Sequence, residues 1–311
     1  YLHMRDWNNV VTEAKKLEGG RFILETNPAT PFVSYKDNQE SIFSIPNDSQ
    51  DNGSVNGAMS AMMSAREGGR AMCPTSPTLY NSKFWKGDDK RRNLVLYRAS
   101  DDYYFCDKYQ NPQTREEYAP ILRYAEVLLN YAEAKAELGE FSETVWNATI
   151  KLLRERAGVD GAMPSAYDPY MAEYFLNTTT DMAILEIRRE RGIELLLENC
   201  RWDDDMRWGM GRLLERPWYG VYVGELGKVY DMDGDGSGDV CFVRENPPVT
   251  EPGVTYRVLG GDYALTDGDS GYIECYIRMN RKWDDKKYVR PIPTTALNDN
   301  PALGQNPGWK K

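Results

Sequence analysis

The sequence predicts a mostly α-helical fold, built from antiparallel helix pairs and overlaid by a loop-rich, partly β irregular layer. Three observations predict it. Residues 118–158 carry apolar side chains at helical spacing, interrupted once at Leu138-Gly139. Residues 181–199 repeat that periodicity behind Asp181, a capping residue. Residues 21–117 and 211–289 instead hold turn dipeptides and short strand-like runs. The chain has 311 residues, enough for one large domain with a sizeable core.

Residues 1–18 read as a helix, because Leu2, Trp7, Val10, Val11 and Ala14 fall near one face and Gly19-Gly20 end it. Across 21–117, Asn27-Pro28, Asn52-Gly53 and Gly68-Gly69 mark turns, and 41–45 and 94–97 read as strands. The Met-rich stretch from Met59 to Gly69 reads as a loop packing on the helices. The long helical stretch opens at Pro120, a residue suited to a first turn, and runs through Tyr124, Leu128, Leu129 and Ala132 to a stop at Gly139. A second helix carries Val145, Ile150, Leu152 and Leu153 and closes at Ala157-Gly158. This pair is similar to a tetratricopeptide repeat unit, and residues 1–20 show the same layout as a partial pair. One such pair cannot bury its own apolar face, so further helices are expected upstream. Tyr1-Leu2-His3-Met4 already reads as helix interior with no leader pattern, so the chain reads as the C-terminal part of a longer protein.

The helix over 181–199 has an apolar stripe of Ile184, Ile187, Ile193, Leu195 and Leu196. Its Arg188, Arg189, Glu190, Arg191, Glu194 and Glu198 predict ion pairs at i,i+3 and i,i+4, a structural role rather than carboxylate catalysis. A short segment over 201–208 carries Trp202 and Trp208. Residues 211–289 form a variable insertion with strand-like pieces at 220–223, 240–243 and 272–278, and the Pro- and Asn-rich tail 290–311 wraps a surface. Trp7, Trp146, Trp202 and Trp208 are expected in the core, with Trp283 and Trp309 anchoring the tail.

Lys plus Arg is 38 and Asp plus Glu is 48, a formal net charge of 38 − 48 = −10. That balance argues against a nucleic-acid binder, which needs clustered cations. A single His and the absence of G-x-S-x-G, P-loop and H-E-x-x-H patterns argue against the common catalytic and zinc chemistries. Cys73, Cys106, Cys200, Cys241 and Cys275 are an odd set with wide spacing and no C-x-x-C. They read as buried free thiols, with one bridge within 200–275 left open.

Residues 231–239 read Asp-Met-Asp-Gly-Asp-Gly-Ser-Gly-Asp. Asp231, Asp233, Asp235 and Asp239 with Gly236 match the calcium-loop pattern D-x-D-x-D-G-x-x-D, and the Ser237 carbonyl supplies a further oxygen. Phe242 stands where an EF-hand has its bidentate Glu, so the loop reads as an isolated, structural calcium site.

Four longer segments, in order, resemble the SusD/RagB-like outer-membrane nutrient-binding proteins of Bacteroidetes. Ile121-Leu122-Arg123-Tyr124-Ala125-Glu126-Val127-Leu128-Leu129-Asn130-Tyr131-Ala132-Glu133-Ala134 is similar to the family's RYAEVLLxYAEA helix. Arg154-Glu155-Arg156-Ala157-Gly158 is similar to its R-x-RAG helix end. The run from Ile187-Arg188-Arg189-Glu190 through Arg201-Trp202-Asp203 to Arg207-Trp208-Gly209 resembles ERRxELxxExxRWxDLxRWG. Pro291-Ile292-Pro293 through Gln305-Asn306-Pro307-Gly308-Trp309 resembles the family's tail. Gly192 departs from the usual Arg, and Asp204-Asp205-Met206 replaces Asp-Leu-Val.

The resemblance implies a single SusD-like domain, N-terminally incomplete over 1–311. It implies a surface lipoprotein of the cell outer membrane that binds a nutrient glycan without enzymatic activity. Such a protein delivers its ligand to a SusC-like TonB-dependent transporter, with the membrane reached only through an upstream lipid anchor. Peptide capture by a RagB-like member is the alternative within the family, and a cytoplasmic repeat scaffold the alternative outside it. Glycans stack their C–H faces on aromatic rings, so Trp218, Tyr219 and Tyr222, with Trp85 and Tyr80, are the candidate ligand-binding residues.

Overall fold

The computed structural model describes residues 1–33, 38–47, 74–100, 103–109 and 117–309. The Met-rich stretch and Cys73 lie outside the described residues. Helix accounts for 35% and strand for 15%, so the fold is mixed, with helices the larger part. Among the described residues no helix is long and apolar enough to cross a membrane.

The helix expected over 1–18 is broken. Leu2–Met4 form a 3-10 turn, Arg5 takes a left-handed conformation at φ 54°, and α1 (Trp7–Lys15) starts afresh where the Asp6 carboxylate accepts from Asn9 N. Four short helices interrupt the irregular layers: α2 (Thr30–Val33), α3 (Pro77–Tyr80), α4 (Lys90–Val95) and α8 (Pro169–Tyr174). The strand expected at 94–97 is displaced by α4 and becomes β2 (Leu96–Arg98), paired with β3 (Tyr104–Cys106).

Pro120 does not open a helix. It lies within β4 (Glu117–Arg123), which pairs antiparallel with β1 (Ser41–Asn47). Both strands of a two-stranded ribbon have a free edge, and an edge tolerates the N–H that proline lacks. Helix α5 (Tyr124–Glu137) begins only after Arg123, which is extended and buried. The second helix of the pair is split into α6 (Glu143–Ala148) and α7 (Ile150–Arg156). Thr149 sits at the break, its hydroxyl donating back to Val145 O at 2.6 Å. Helix α9 (Met182–Glu194) starts at the expected cap, Asp181 accepting from Ile184 N, and α10 (Arg201–Arg207) follows. Ala125, Leu129, Trp146, Ile150, Leu153 and Ile187 form one apolar core, and α1 packs on α5.

The charges on α9 are not paired along the helix in the expected way. Glu186, Glu190, Glu194 and Glu198 are spaced by four residues, so they form one stripe, and all but Glu198 lie within α9 itself. Each meets cations from distant segments. Arg154 binds Glu186 and, at 3.0 Å, Glu190. Arg91 reaches Glu190 at 2.6 Å, Glu194 at 2.8 Å and Asp89 at 2.7 Å. Arg156 binds Glu194 and Glu40, and Arg123 joins Glu40, Glu194 and Glu198 at 2.6–2.7 Å. Lys108 closes the stripe on Glu198 at 2.5 Å. A single i,i+3 contact remains, Arg189 to Glu186 at 3.5 Å. A second cluster joins Arg191 and Arg207 to Asp204, and Arg207 also to Glu133.

Burial alone would raise these carboxyls. For Glu194 the guanidiniums of Arg156, Arg123 and Arg91 outweigh it and hold the group well below the ordinary value. Glu190, Glu198 and Asp204 are lowered in the same way, while burial pushes Glu126 and Asp205 up. The stabilisation from the lowered groups is complete above their unfolded pKa, near 4.3 for Glu and 3.9 for Asp, and is lost as pH falls through the folded values. The melting temperature should therefore fall steeply below about pH 4.5, with little response to salt, because buried pairs are poorly screened. Glu194→Gln should cost roughly 3–5 kcal/mol by leaving buried guanidiniums uncompensated, measured by denaturant unfolding at pH 7. A flat melting temperature from pH 7 to 3, or a neutral Glu194→Gln, would contradict this account.

Candidate functional site

The insertion folds as two three-stranded sheets. In the first, β10 (Gly271–Cys275) lies between β5 (Trp218–Val223) and β9 (Tyr263–Leu265), antiparallel to both. In the second, β7 (Val240–Val243) lies between β6 (Val229–Tyr230) and β8 (Thr255–Val258), with β7 and β8 parallel. The expected strands at 220–223, 240–243 and 272–278 are all present, the last ending at Cys275. Val221, Val223, Tyr230, Met232, Phe242, Leu265 and Ile273 form a shared core, which also takes Tyr103 and Phe105 from the β2–β3 segment.

A β-bulge shapes the exposed side of β5. Tyr222 faces Tyr272, and Tyr219 faces Glu274, so β5 advances one residue more than β10 across Gly220 and Val221. The extra residue turns Tyr219 to the same side as Tyr222, as bulges re-aim side chains. Both rings meet Tyr272, with centroids 5.9 Å and 5.3 Å away. At the end of the strand Trp218 meets Tyr276 edge-on at 5.8 Å, and Tyr263 meets Tyr276 at 5.8 Å. Trp218, Tyr219 and Tyr276 are each 40% exposed, high values for rings of this size. Tyr276 is left-handed at φ 56°, an uncommon state for a bulky residue that Leu176 and Leu197 share. The predicted ligand residues fall into two groups: Tyr219 and Tyr222 meet Tyr272 on one face of the sheet, while Trp218, their neighbour along β5 and so on the other face, meets Tyr276 beside Tyr263. Alternation in Tyr272-Ile273-Glu274 was the available signal for Tyr272, but nothing local marks the turn at Tyr276.

Trp85 and Tyr80 do not join this face. Trp85 is buried among Val95, Leu96 and Phe175, and its indole N–H donates to Leu79 O at 3.0 Å. Tyr80 stacks on Tyr104 with centroids 4.5 Å apart and donates to Asn93 at 2.9 Å. Both serve packing. Trp202, expected in the core, is 47% exposed beside a separate cavity of about 490 Å³. Trp146 is fully buried as expected, and Trp309 anchors the tail through its N–H to Val289 O at 2.7 Å. Cys106, Cys200, Cys241 and Cys275 are free thiols.

The acidic loop links β6 to β7. Carboxylate oxygens of Asp231, Asp233 and Asp239 lie within 4.8 Å of one another. Asp235 and Ser237 are not part of that group; the Asp235 carboxylate instead accepts from Ser237 N at 2.7 Å, closing a turn. Asp231 accepts from Gly234 N and Gly236 N, at 2.7 and 2.8 Å. Burial, and then the negative charges of Asp239, Asp235 and Asp231, raise the Asp233 carboxyl despite a hydrogen bond from Asp235 N. Asp239 also accepts from Met232 N at 2.7 Å, so the loop is tied to the sheet core. Between the two sheets lies a cavity of about 770 Å³, lined by Met232, Asp239 and Tyr263 among others.

The SusD family's sequence model matches residues 86–309, and the chain belongs to that family. No curated protein sequence matches it. Among solved structures it is similar to a SusD-like carbohydrate-binding protein from Bacteroides fragilis, with TM-score 0.64, 20% identity, and coverage of 97% of this chain and 62% of that one. A SusD-like protein from the same organism gives TM-score 0.58 and 17% identity, over 99% of this chain and 63% of that one. Surface glycan-binding protein A from Bacteroides thetaiotaomicron, solved with laminarihexaose, gives TM-score 0.56 and 18% identity, over 98% and 61% of the two chains. The chain therefore spans about three-fifths of the length of these relatives.

Gly234 fixes the loop to the scaffold. At φ +81° its ideal Cβ would lie 2.7 Å from the backbone oxygen of Ala99. Gly234→Ala should cost on the order of 1–3 kcal/mol through combined strain and overlap. Thermal unfolding checks this; an unchanged melting temperature would mean that the loop is not seated on the β2–β3 segment.

Proposed function

We propose that the chain is the glycan-capturing part of a surface-exposed outer-membrane lipoprotein. In this reading it binds an oligo- or polysaccharide and passes it to a SusC-like TonB-dependent transporter without chemical turnover. The observation that carries the reading is the two groups of exposed and half-exposed rings on and beside β5, β9 and β10, above all Trp218 with Tyr263 and Tyr276. Trp and Tyr offer flat apolar faces for sugar C–H groups, and their N–H and O–H groups bond hydroxyls. Rings fixed by neighbours lose little entropy on binding. Family membership supports the same reading, as does the named glycan binding of the structural relatives. The helix pair α5 with α6 and α7, and α1 against α5, support a tetratricopeptide-like frame for this face.

The acidic loop is read as a calcium site. Asp231, Asp233 and Asp239 supply the hard oxygen donors that calcium prefers, and a cation would offset the burial and the neighbouring negative charges that raise Asp233. Its role would be to fix the loop and, through Asp239 and Met232, one wall of the sheet module.

Affinity electrophoresis against a polysaccharide panel tests the first reading. One glycan should retard the protein, and Trp218→Ala or Tyr272→Ala should weaken binding by about 2 kcal/mol, or roughly thirtyfold. Competition by a peptide digest alone, with no glycan retardation, would transfer the protein to the peptide-capturing branch. For the ion, calcium at a hundred times its Kd should stabilise the protein by about 2.7 kcal/mol. Asp233→Asn should abolish that gain, and equal melting curves in calcium and EDTA would remove the ion from the proposal.

A further inference from the structure

The cavity between the sheets, at about 770 Å³, falls within the size range of small-ligand pockets. Hydrocarbon enters its walls from several elements: Val221 of β5, Met232 of the acidic loop, Phe242 of β7, Leu259 after β8 and Ile273 of β10. The polar lining residues are Thr255, Tyr256 and Arg257 of β8, an edge strand, with Asp239 and Tyr263. A bare sugar ring needs partners for hydroxyls on every side, and the hydrocarbon part of these walls offers none. A flat aromatic group suits them, with Phe242 and Tyr256 as ring neighbours and the Met232 thioether as an adaptable contact.

The cavity is continuous with the exposed rings. Tyr263 lines it and meets Tyr276, and Cys275 lines it while lying in register with Trp218 and Tyr263. We propose that this cavity receives an aromatic acyl group esterified to the sugar held on the Trp218–Tyr263–Tyr276 rings, so that the ligand is a decorated glycan. The inference rests on the glycan-platform reading and adds to it the substituent.

Gly220 gives access to a test. It lines the cavity, and an ideal Cβ there comes no closer than 3.5 Å to Cys275 or Ile273, an ordinary contact. A larger side chain at this position should enter the cavity without forcing the backbone. Calorimetric titrations would use a feruloylated arabino-oligosaccharide, its saponified counterpart, and methyl ferulate alone. Alkylation of Cys275, located by mass spectrometry, would report occupancy in the unmodified protein.

The esterified sugar should bind at least about tenfold more tightly than the saponified one, a difference of about 1.4 kcal/mol. Methyl ferulate should protect Cys275, and Gly220→Leu should remove both the preference and the protection. Equal affinity for the two sugars with no protection of Cys275 overturns the inference and leaves the platform standing. Failure of both sugars to bind leaves the platform reading to the polysaccharide panel, and the cavity then stands or falls on whether methyl ferulate alone protects Cys275.

Discussion

Four glutamates spaced by four residues organise this molecule. Glu186, Glu190, Glu194 and Glu198 form an anionic stripe, and with Glu40 and Asp89 they make six carboxylates. Beside Arg189 of α9 itself, six cations from other segments face them: Lys86, Arg91, Lys108, Arg123, Arg154 and Arg156. The cations come from the 83–95 segment, the end of β3, the end of β4 and α7. Each charge is expensive to bury alone, so every one of these segments must arrive together. The cluster is weak evidence for stability, because apolar replacements often do as well. Its stronger consequence is geometric, since guanidinium–carboxylate bonds fix direction as well as distance.

The sheet module depends on that frame. Arg91 opens α4, which leads into β2, and Lys108 follows β3. The β2–β3 segment between them sends Tyr103 and Phe105 into the module's core. Ala99, in the turn of the same segment, receives Gly234 of the acidic loop. The exposed rings are therefore held by a short ribbon whose two ends are pinned by buried charge pairs. A binding face on irregular structure gains precision in this way, because the supporting elements cannot move independently.

The parts legible in the sequence were those set by local chemistry. Asp181 as a cap, the strands of the insertion and the Trp218-Tyr219-Tyr222 cluster all depend on residues close in the chain. Two short helices were legible and overlooked: Ser76-Pro77 and Asp168-Pro169 each place a capping side chain before a first-turn proline. What was not legible depends on partners far away. Pro120 is a good first-turn residue until β1 claims it for a ribbon. Glu190 and Arg191 are spaced for local pairs, but Arg91 and Asp204 take them at longer range. Trp85 has the loop context of a ligand residue, and only the packing of Phe175 and Leu96 removes it from the surface.

Two places where local rules are broken lie on or next to the same small sheet. A bulge costs β5 a regular ladder, and Tyr276 takes a backbone state that suits glycine. Neither buries more apolar surface; each instead holds an aromatic ring in solvent. Without the bulge, Tyr219 would fall on the side of Val221 and leave Tyr272 with one ring neighbour in place of two. With Tyr276 in an ordinary extended state, the strand direction would carry its ring away from Trp218 and Tyr263. Natural sequences are consistent across local and global levels except where function demands otherwise. The β1–β4 ribbon is bulged as well, and Arg5, Leu176 and Leu197 are left-handed too, so what sets these two departures apart is the exposed ring each one places.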